Sequence, residues 1–150
     1  MSAMQDVVLR LQLTGESVGR FMTENPVTVH PDLNLQEFVD SYVLHYHFTH
    51  FPVVNEEDRL VGIVRARDPK QVDSDRWPEL HVSDVMERPA PGTTIGPDAD
   101  AVEALSRLRG EERKRLIVVQ NNHPVGIVSL RDLMDFLALK IDLNPRNMPE

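Results

Sequence analysis

The spacing of apolar positions along the chain changes several times, and each change marks an element. Leu35, Phe38, Val39, Tyr42 and Val43 recur at helical spacing and predict an amphipathic helix, opened by a capping box of Asn34 and Glu37. Phe51–Val54 and Leu60–Val64 are short, almost continuously apolar runs on either side of the polar stretch Asn55–Arg59. They predict a hairpin of strands covered on both faces. The same succession then returns. Asp98 is the expected cap of a helix carrying Ala101, Val102, Leu105 and Leu108 on one stripe. Leu116–Val119 and Val125–Val128, separated at Asn121–Asn122, form a second predicted hairpin, and Leu130, Leu133, Met134, Leu137 and Ala138 mark a closing helix.

The remaining segments are shorter. Val7, Leu9, Leu11 and Leu13 alternate like a strand, while Val7, Val8 and Leu11 also fit a helix before Gly15; helix is the preferred reading. Val18–Met22 and Val82–Met86 each predict one turn of helix ending before Pro26 or Pro89, followed by brief strands at Val27–Val29 and Thr93–Ile95. Asp68 directly precedes Pro69, a pairing that suits an N-cap and the first residue of a helix of one or two turns.

The recurrence is an internal repeat. Met22 and Asp68 reappear as Met86 and Asp132, 64 residues on, and Phe51–Pro52–Val53–Val54 reappears as Leu116–Ile117–Val118–Val119. A fixed period means one supersecondary unit used twice, each copy needing the other to bury its apolar face. The chain divides accordingly into a helical lead-in (1–16), repeat 1 (17–68), a connector holding the lone Trp77 (69–81), repeat 2 (82–139) and a fraying tail (140–150) with Pro145 and Pro149.

Length and charge narrow the function. A chain of 150 residues fits one domain, or two small ones fused over a shared core. With 24 acidic and 16 basic side chains, a net charge of −8 opposes non-specific attraction to nucleic acid or to an anionic bilayer. The absence of cysteine excludes a disulfide scaffold and thiolate metal ligation, so a cytoplasmic setting is the expectation. No apolar run approaches the roughly 20 residues of a membrane span, and no signal-peptide pattern opens the sequence.

The order β-α-β-β-α, the Met–x–x–x–Pro pattern near its start, the apolar–Pro–Val–Val strand and the Gly–Ile–Val–x–x–x–Asp ending (Gly62–Asp68, Gly126–Asp132) together resemble the cystathionine-β-synthase (CBS) domain family. The likeness spans roughly residues 17–139. It implies an α/β (α+β) fold of two β-α-β-β-α repeats packed with pseudo-two-fold symmetry, the tandem pair called a Bateman module. It further implies a non-catalytic regulatory module that binds AMP, ATP or S-adenosylmethionine in clefts between the repeats, requires no cofactor, and assembles as a homodimer. A narrower likeness, to CBS pairs attached to site-2-type membrane zinc metalloproteases, rests on the stretch Tyr42–His50 before Phe51–Pro52–Val53–Val54. No His–Glu–x–x–His motif occurs, so the catalytic part of such a protein lies outside this chain.

By that resemblance, Ser129 and Asp132 match the family's Ser/Thr–x–x–Asp signature, Asp132 for the ribose hydroxyls and Ser129 beside the phosphate. A helix N-terminus also favours an anion. The alternative is that Ser129 caps the closing helix and Asp132 complements its dipole. In repeat 1, Asp68 keeps the ribose position but Arg65 replaces the hydroxyl residue. Arg65 either meets a phosphate or blocks the cleft by pairing with a nearby carboxylate. His50 in repeat 1, and Lys114 and Arg115 in repeat 2, occupy positions that face phosphate in the family, Arg115 being the better candidate. The alternative makes Arg107, Arg109, Arg113, Lys114 and Arg115 a solvated helix end. Thr28 and Thr94 offer backbone groups to a base edge, or are ordinary strand threonines.

His45, His47 and His50 invite a metal reading if the segment is extended, because alternate residues then share a side. Surface histidines at a helix end are the competing reading, and no metal site is assigned. Two further functional classes stand beside the sensor: a ligand-free dimerisation or docking CBS pair, and an enzyme. The last finds no nucleophile–base pair, glycine-rich phosphate loop or paired carboxylates in the sequence.

Overall fold

The computed structural model describes residues 3–110 and 115–143. In chain order the elements are α1 (Ala3–Leu13), β1 (Thr23–Glu24), α2 (Leu35–Phe38), α3 (Leu44–Tyr46), β2 (His50–Val54), β3 (Leu60–Arg65), α4 (Val82–Val85), β4 (Thr94–Ile95), α5 (Ala101–Gly110), β5 (Arg115–Gln120), β6 (His123–Ser129) and α6 (Leu130–Asp142). Single 3-10 turns occur at Val18–Arg20, Asp68–Gln71 and Ser74–Arg76. The predicted helix of repeat 1 is present, but a π-helical stretch, Val39–Val43, joins α2 to α3. Side chains four apart along it share a face: the ring centroids of Phe38 and Tyr42 lie 6.4 Å apart, and those of Tyr42 and Tyr46 6.0 Å apart.

The chain forms two compact units, and neither is a continuous half. One takes residues 1–24, 92–118 and 126–150; the other takes 25–91 and 119–125. In the first, the strands form a sheet in the order β1-β6-β5-β4. β1 runs antiparallel to β6, with Thr23 opposite Ile127, and β4 runs parallel to β5, with Ile95 opposite Val118. Helices α1, α5 and α6 pack on one another. On α5 the buried stripe is Ala101, Ala104, Leu105 and Leu108, so Ala104 takes the place expected for Val102. Spacing of i, i+3, i+4 and i+7 explains it, because Val102 lies a quarter-turn off that line. The N-cap of α5 is Asp100 rather than Asp98: its Oδ1 accepts from the Val102 N–H at 2.8 Å and its Oδ2 from the Gly15 N–H at 3.2 Å. The closing helix buries Leu133 and Leu137 and leaves Ala138 exposed. It continues to Asp142, and Asn144, Pro145 and Pro149 of the predicted tail lie outside the described residues.

In the second unit β2 and β3 pair as the predicted hairpin, with His50 opposite Arg65 and a bulge between Val53 and Val54. The strand expected at Val27–Val29 contracts to one parallel bridge, Val29 to Val53. There the Val29 N–H donates to the Pro52 carbonyl (3.0 Å) and the Val54 N–H to the Val29 carbonyl (2.9 Å); Pro26 leaves little room for a longer ladder. Leu35, Phe38, Phe51, Val53, Val64 and Val82 are all fully buried in the core. The connector packs on this core through Val72, Trp77 and Leu80, and the Trp77 indole N–H donates to the Pro69 carbonyl at 3.0 Å. Asn34 caps its helix as expected, its Oδ1 accepting from the Glu37 N–H at 2.8 Å. The Glu37 carboxylate instead accepts from the Ser41 hydroxyl, so the box is one-sided. Asn121 and Asn122 at the second hairpin both have positive φ, 53° and 66°, which a two-residue type I′ turn requires.

Two glycines record how the opening turns are used. A Cβ on Gly126 would lie 2.5 Å from the Met22 sulfur and 3.0 Å from the Thr23 carbonyl oxygen, and one on Gly62 would lie 2.5 Å from the Met86 sulfur and 3.1 Å from the Glu87 carbonyl oxygen. Each repeat's Gly–Ile–Val strand is therefore packed by the methionine that opens the other repeat in sequence. Gly126→Ala is expected to cost about 1–3 kcal/mol of stability as an overpacking substitution. Adding Met22→Ala should recover part of that loss in urea unfolding, because the sulfur can leave while the Thr23 carbonyl cannot; strictly additive losses would disprove the contact.

Candidate ligand-binding site

Both units follow a strand end with an aspartate three residues on, and the two junctions are wired differently. In the first unit β6 passes into α6 without a loop. Ser129, extended at φ −118° and ψ 164°, is the N-cap. Its Oγ accepts from the Asp132 N–H at 3.1 Å, and Asp132 Oδ2 accepts from the Ser129 N–H at 3.0 Å. This reciprocal box satisfies two orphan donors of the helix end. It leaves Asp132 Oδ1 with no hydrogen bond or ion pair among the described residues, and Asp132 is half-buried while Ser129 is buried. The capping alternative and the ligand alternative are therefore not exclusive, since only one carboxylate oxygen is spent on the cap.

The sheet brings the other candidates of repeat 2 to the same end. β4 is parallel to β5, and β6 returns beside β5 after the two-residue turn, so the first residues of β4 and β5 and the last of β6 share one edge. Thr94, Arg115 and Ser129 hold those positions. Arg115 is half-buried, and its side chain makes no ion pair with a described residue. Thr94 is engaged: its carbonyl accepts from the Arg107 guanidinium, which also donates to Glu103 Oε1 at 3.0 Å. Arg107 is thus a tie between α5 and β4 rather than part of a solvated end. Its i, i+4 relation to Glu103 was the only sequence signal for that role. Lys114 and Arg113 lie outside the described residues.

In the second unit β3 ends at Arg65, and Asp68 is almost wholly buried, at 2 % exposure. Asp68 Oδ2 accepts from the Arg65 N–H at 2.7 Å, the counterpart of the Asp132–Ser129 bond. Its Oδ1 accepts from Arg65 Nε and from Gln71 Nε2, both at 3.2 Å, with Arg65 Nη2 also at 3.2 Å. Asp68 therefore does not cap the following turn as expected. Pro69 offers no N–H, and the short 3-10 turn Asp68–Gln71 directs the carboxylate back to the strand end. Gln71 was not anticipated; its i, i+3 spacing from Asp68 was the available signal. His50, in register with Arg65, shares a hydrogen bond of 3.0 Å between its Nδ1 and the Thr49 hydroxyl. Thr28 is half-buried, and among the described residues neither its backbone nor its hydroxyl makes a hydrogen bond.

The histidine run is not extended. His45 lies on α3 with its ring edge-on to Tyr46, and His47 ends that helix in the left-handed region at φ 60°. Among the described residues no group of three His, Asp or Glu side chains is placed to hold a metal ion, and no helix is long and apolar enough to cross a membrane.

Comparison with known proteins places this geometry. The CBS domain family model matches residues 18–70 and 82–139. A zinc metalloprotease of Methanocaldococcus jannaschii is 34% identical over 125 residues, covering 81% of this chain and 33% of the relative. An inosine-5′-monophosphate dehydrogenase of Bifidobacterium longum is 29% identical over 115 residues, covering 75% of this chain and 21% of that enzyme. The chain thus spans between a fifth and a third of the length of these relatives. Among solved structures, the CBS domain of a bacterial CNNM/CorC family Mg2+ transporter, in complex with ATP, superposes with a TM-score of 0.76 at 20% identity, over 90% of this chain and 96% of that one. CBSX2 in complex with AMP superposes with a TM-score of 0.72 at 23% identity, over 85% of this chain and 99% of that one. With two matches in tandem over most of its length and the fold to go with them, the chain belongs to the CBS domain family as a pair of CBS repeats.

Proposed function

We propose that this CBS pair is a regulatory module that senses an adenosyl ligand, AMP, ATP or S-adenosylmethionine, at the β6–α6 junction. The observation that carries the reading is the half-spent carboxylate of Asp132. One oxygen is fixed by the Ser129 N–H, which orients the other to accept from the two hydroxyls of a ribose. Arg115 at the same end of the sheet, with no ion pair to a described residue, supplies the cation a phosphate needs, and the N-terminus of α6 adds its partial positive charge. Thr94 completes the candidate set in this unit, with its carbonyl already taken. The ATP- and AMP-bound structures of related fold support the choice of ligand class.

The module does no chemistry of its own in this reading. A ligand that binds one arrangement of the pair better than another shifts the equilibrium by its differential affinity and no more. The controlled element is a domain attached to the pair or associated with it, a zinc metalloprotease being the partner class suggested by the relatives. Assembly as a homodimer is part of the proposal, and Leu11 on α1 and Leu139 on α6 are exposed apolar residues available to it. Calorimetric titration with AMP, ATP and S-adenosylmethionine tests the sensor. Saturable binding of at least one is the expected result, and indifference to all three would leave a structural docking pair as the function.

A further inference from the structure

We infer that repeat 1 is closed to this ligand by its own arginine, so that the chain takes one adenosyl ligand rather than two. The inference rests on the sensor reading of the Asp132 junction and concerns its sequence counterpart. An ionised carboxylate offers about four acceptor positions. At Asp68 three donors, Arg65 Nε, Arg65 Nη2 and Gln71 Nε2 at 3.2 Å each, crowd Oδ1, and the Arg65 N–H at 2.7 Å takes one position on Oδ2. With 2 % of Asp68 exposed, the remaining position on Oδ2 is buried, and no acceptor is open to a ribose diol. At Asp132 the corresponding backbone bond is present, at 3.0 Å, and the position of Arg65 is held by Ser129, whose side chain is too short to reach across to the second oxygen. The substitution of one residue in a shared frame therefore decides which junction is open.

Arg65 does to Asp68 what the ligand would do: it donates in a planar fork to the carboxylate. Because the fork belongs to the chain, it is present at full local concentration, and a free ligand must displace it to enter. Repeat 1 then contributes structure, and repeat 2 contributes the ligand response.

Titration with ATP, read by calorimetry and by amide chemical shifts, tests this. The unmodified chain is expected to bind one equivalent, with saturable shifts at Ser129 and Asp132 and none at Arg65 and Asp68. Asp132→Ala should bind none, and Arg65→Ser in the Asp132→Ala background should regain one equivalent through Asp68. Because Arg65→Ser strips a buried carboxylate of its partner and is liable to unfold the protein, Arg65→Gln, which keeps one amide donor, is run beside it. A folded Arg65→Gln or Arg65→Ser variant that gains no binding in that background overturns the inference, as does a second equivalent in the unmodified chain. Failure of the sensor reading looks different: the unmodified chain would bind nothing, while the Arg65 variants would still decide whether Asp68 had been blocked.

Discussion

Asp132→Asn is expected to weaken binding of an adenosyl ligand by about 10²-fold or more while leaving the protein folded. A hydrogen bond to a charged group is worth about 1.5–3 kcal/mol, and about 1.4 kcal/mol is a factor of ten in affinity. Losing the negative charge under two ribose hydroxyls therefore removes at least two such factors. The fold survives because the asparagine keeps one carbonyl oxygen, which still accepts from the Ser129 N–H in place of the carboxylate bond of 3.0 Å. Calorimetric dissociation constants and melting curves, taken together, separate the two effects. Unchanged affinity in the well-folded variant would remove Asp132 from the site and with it the argument for the β6–α6 junction. Asp132→Ala is the harsher form, because it loses half of the helix cap as well as the ligand contact.

Phe51→Ala is expected to be among the most damaging single substitutions, at about 3–5 kcal/mol. Phe51 is fully buried, and its ring meets Phe38 edge-on at 5.4 Å, Tyr42 at 6.3 Å and Phe48 at 6.2 Å. Removing it takes out the ring on which the aromatic file of the π-helical segment rests. The β2–β3 hairpin that carries it is held in register by the Val29 bridge, which limits how far the strands can collapse to fill the space. Against a total stability of about 5–15 kcal/mol for a domain, such a loss removes between about a fifth and all of it. Urea denaturation followed by circular dichroism reads it directly. A loss under about 1 kcal/mol would mean that the cavity refills, and that the aromatic cluster is more yielding than its geometry implies.

The two junctions also show why homologous positions in a repeat need not share a task. Each repeat supplies a strand end, an aspartate three residues on, and a backbone N–H that the aspartate accepts from. What differs is whether a further side chain reaches the remaining oxygen. Where Arg65 does, the aspartate is buried and that oxygen is saturated. At Ser129 the shorter side chain leaves the corresponding aspartate with acceptor capacity. An ion pair of this kind costs desolvation of both groups and returns most of it through good geometry, so its net effect on stability is small. Its consequence lies in what it excludes.

The sequence alone determined the repeat and its period, the helices at residues 35–43, 101–108 and 130–138, both hairpins, and the family resemblance. These rest on local regularities: apolar residues recur with the geometry of the element they build, and turn residues such as Asn121–Asn122 carry their own backbone preference. The capping pair Ser129 and Asp132 was legible for the same reason, since a helix start is written within four residues. Only the tertiary structure decided which opening turn packs on which Gly–Ile–Val strand, that Asp100 rather than Asp98 caps α5, that Arg107 holds the Thr94 carbonyl, and that Arg65 and Gln71 together occupy Asp68 Oδ1. Those outcomes depend on where the backbone carries donors and acceptors that lie far apart in sequence, or on which of several nearby side chains reaches a carboxylate first. Periodicity reports the face a residue occupies, and the path of the chain decides what that face meets.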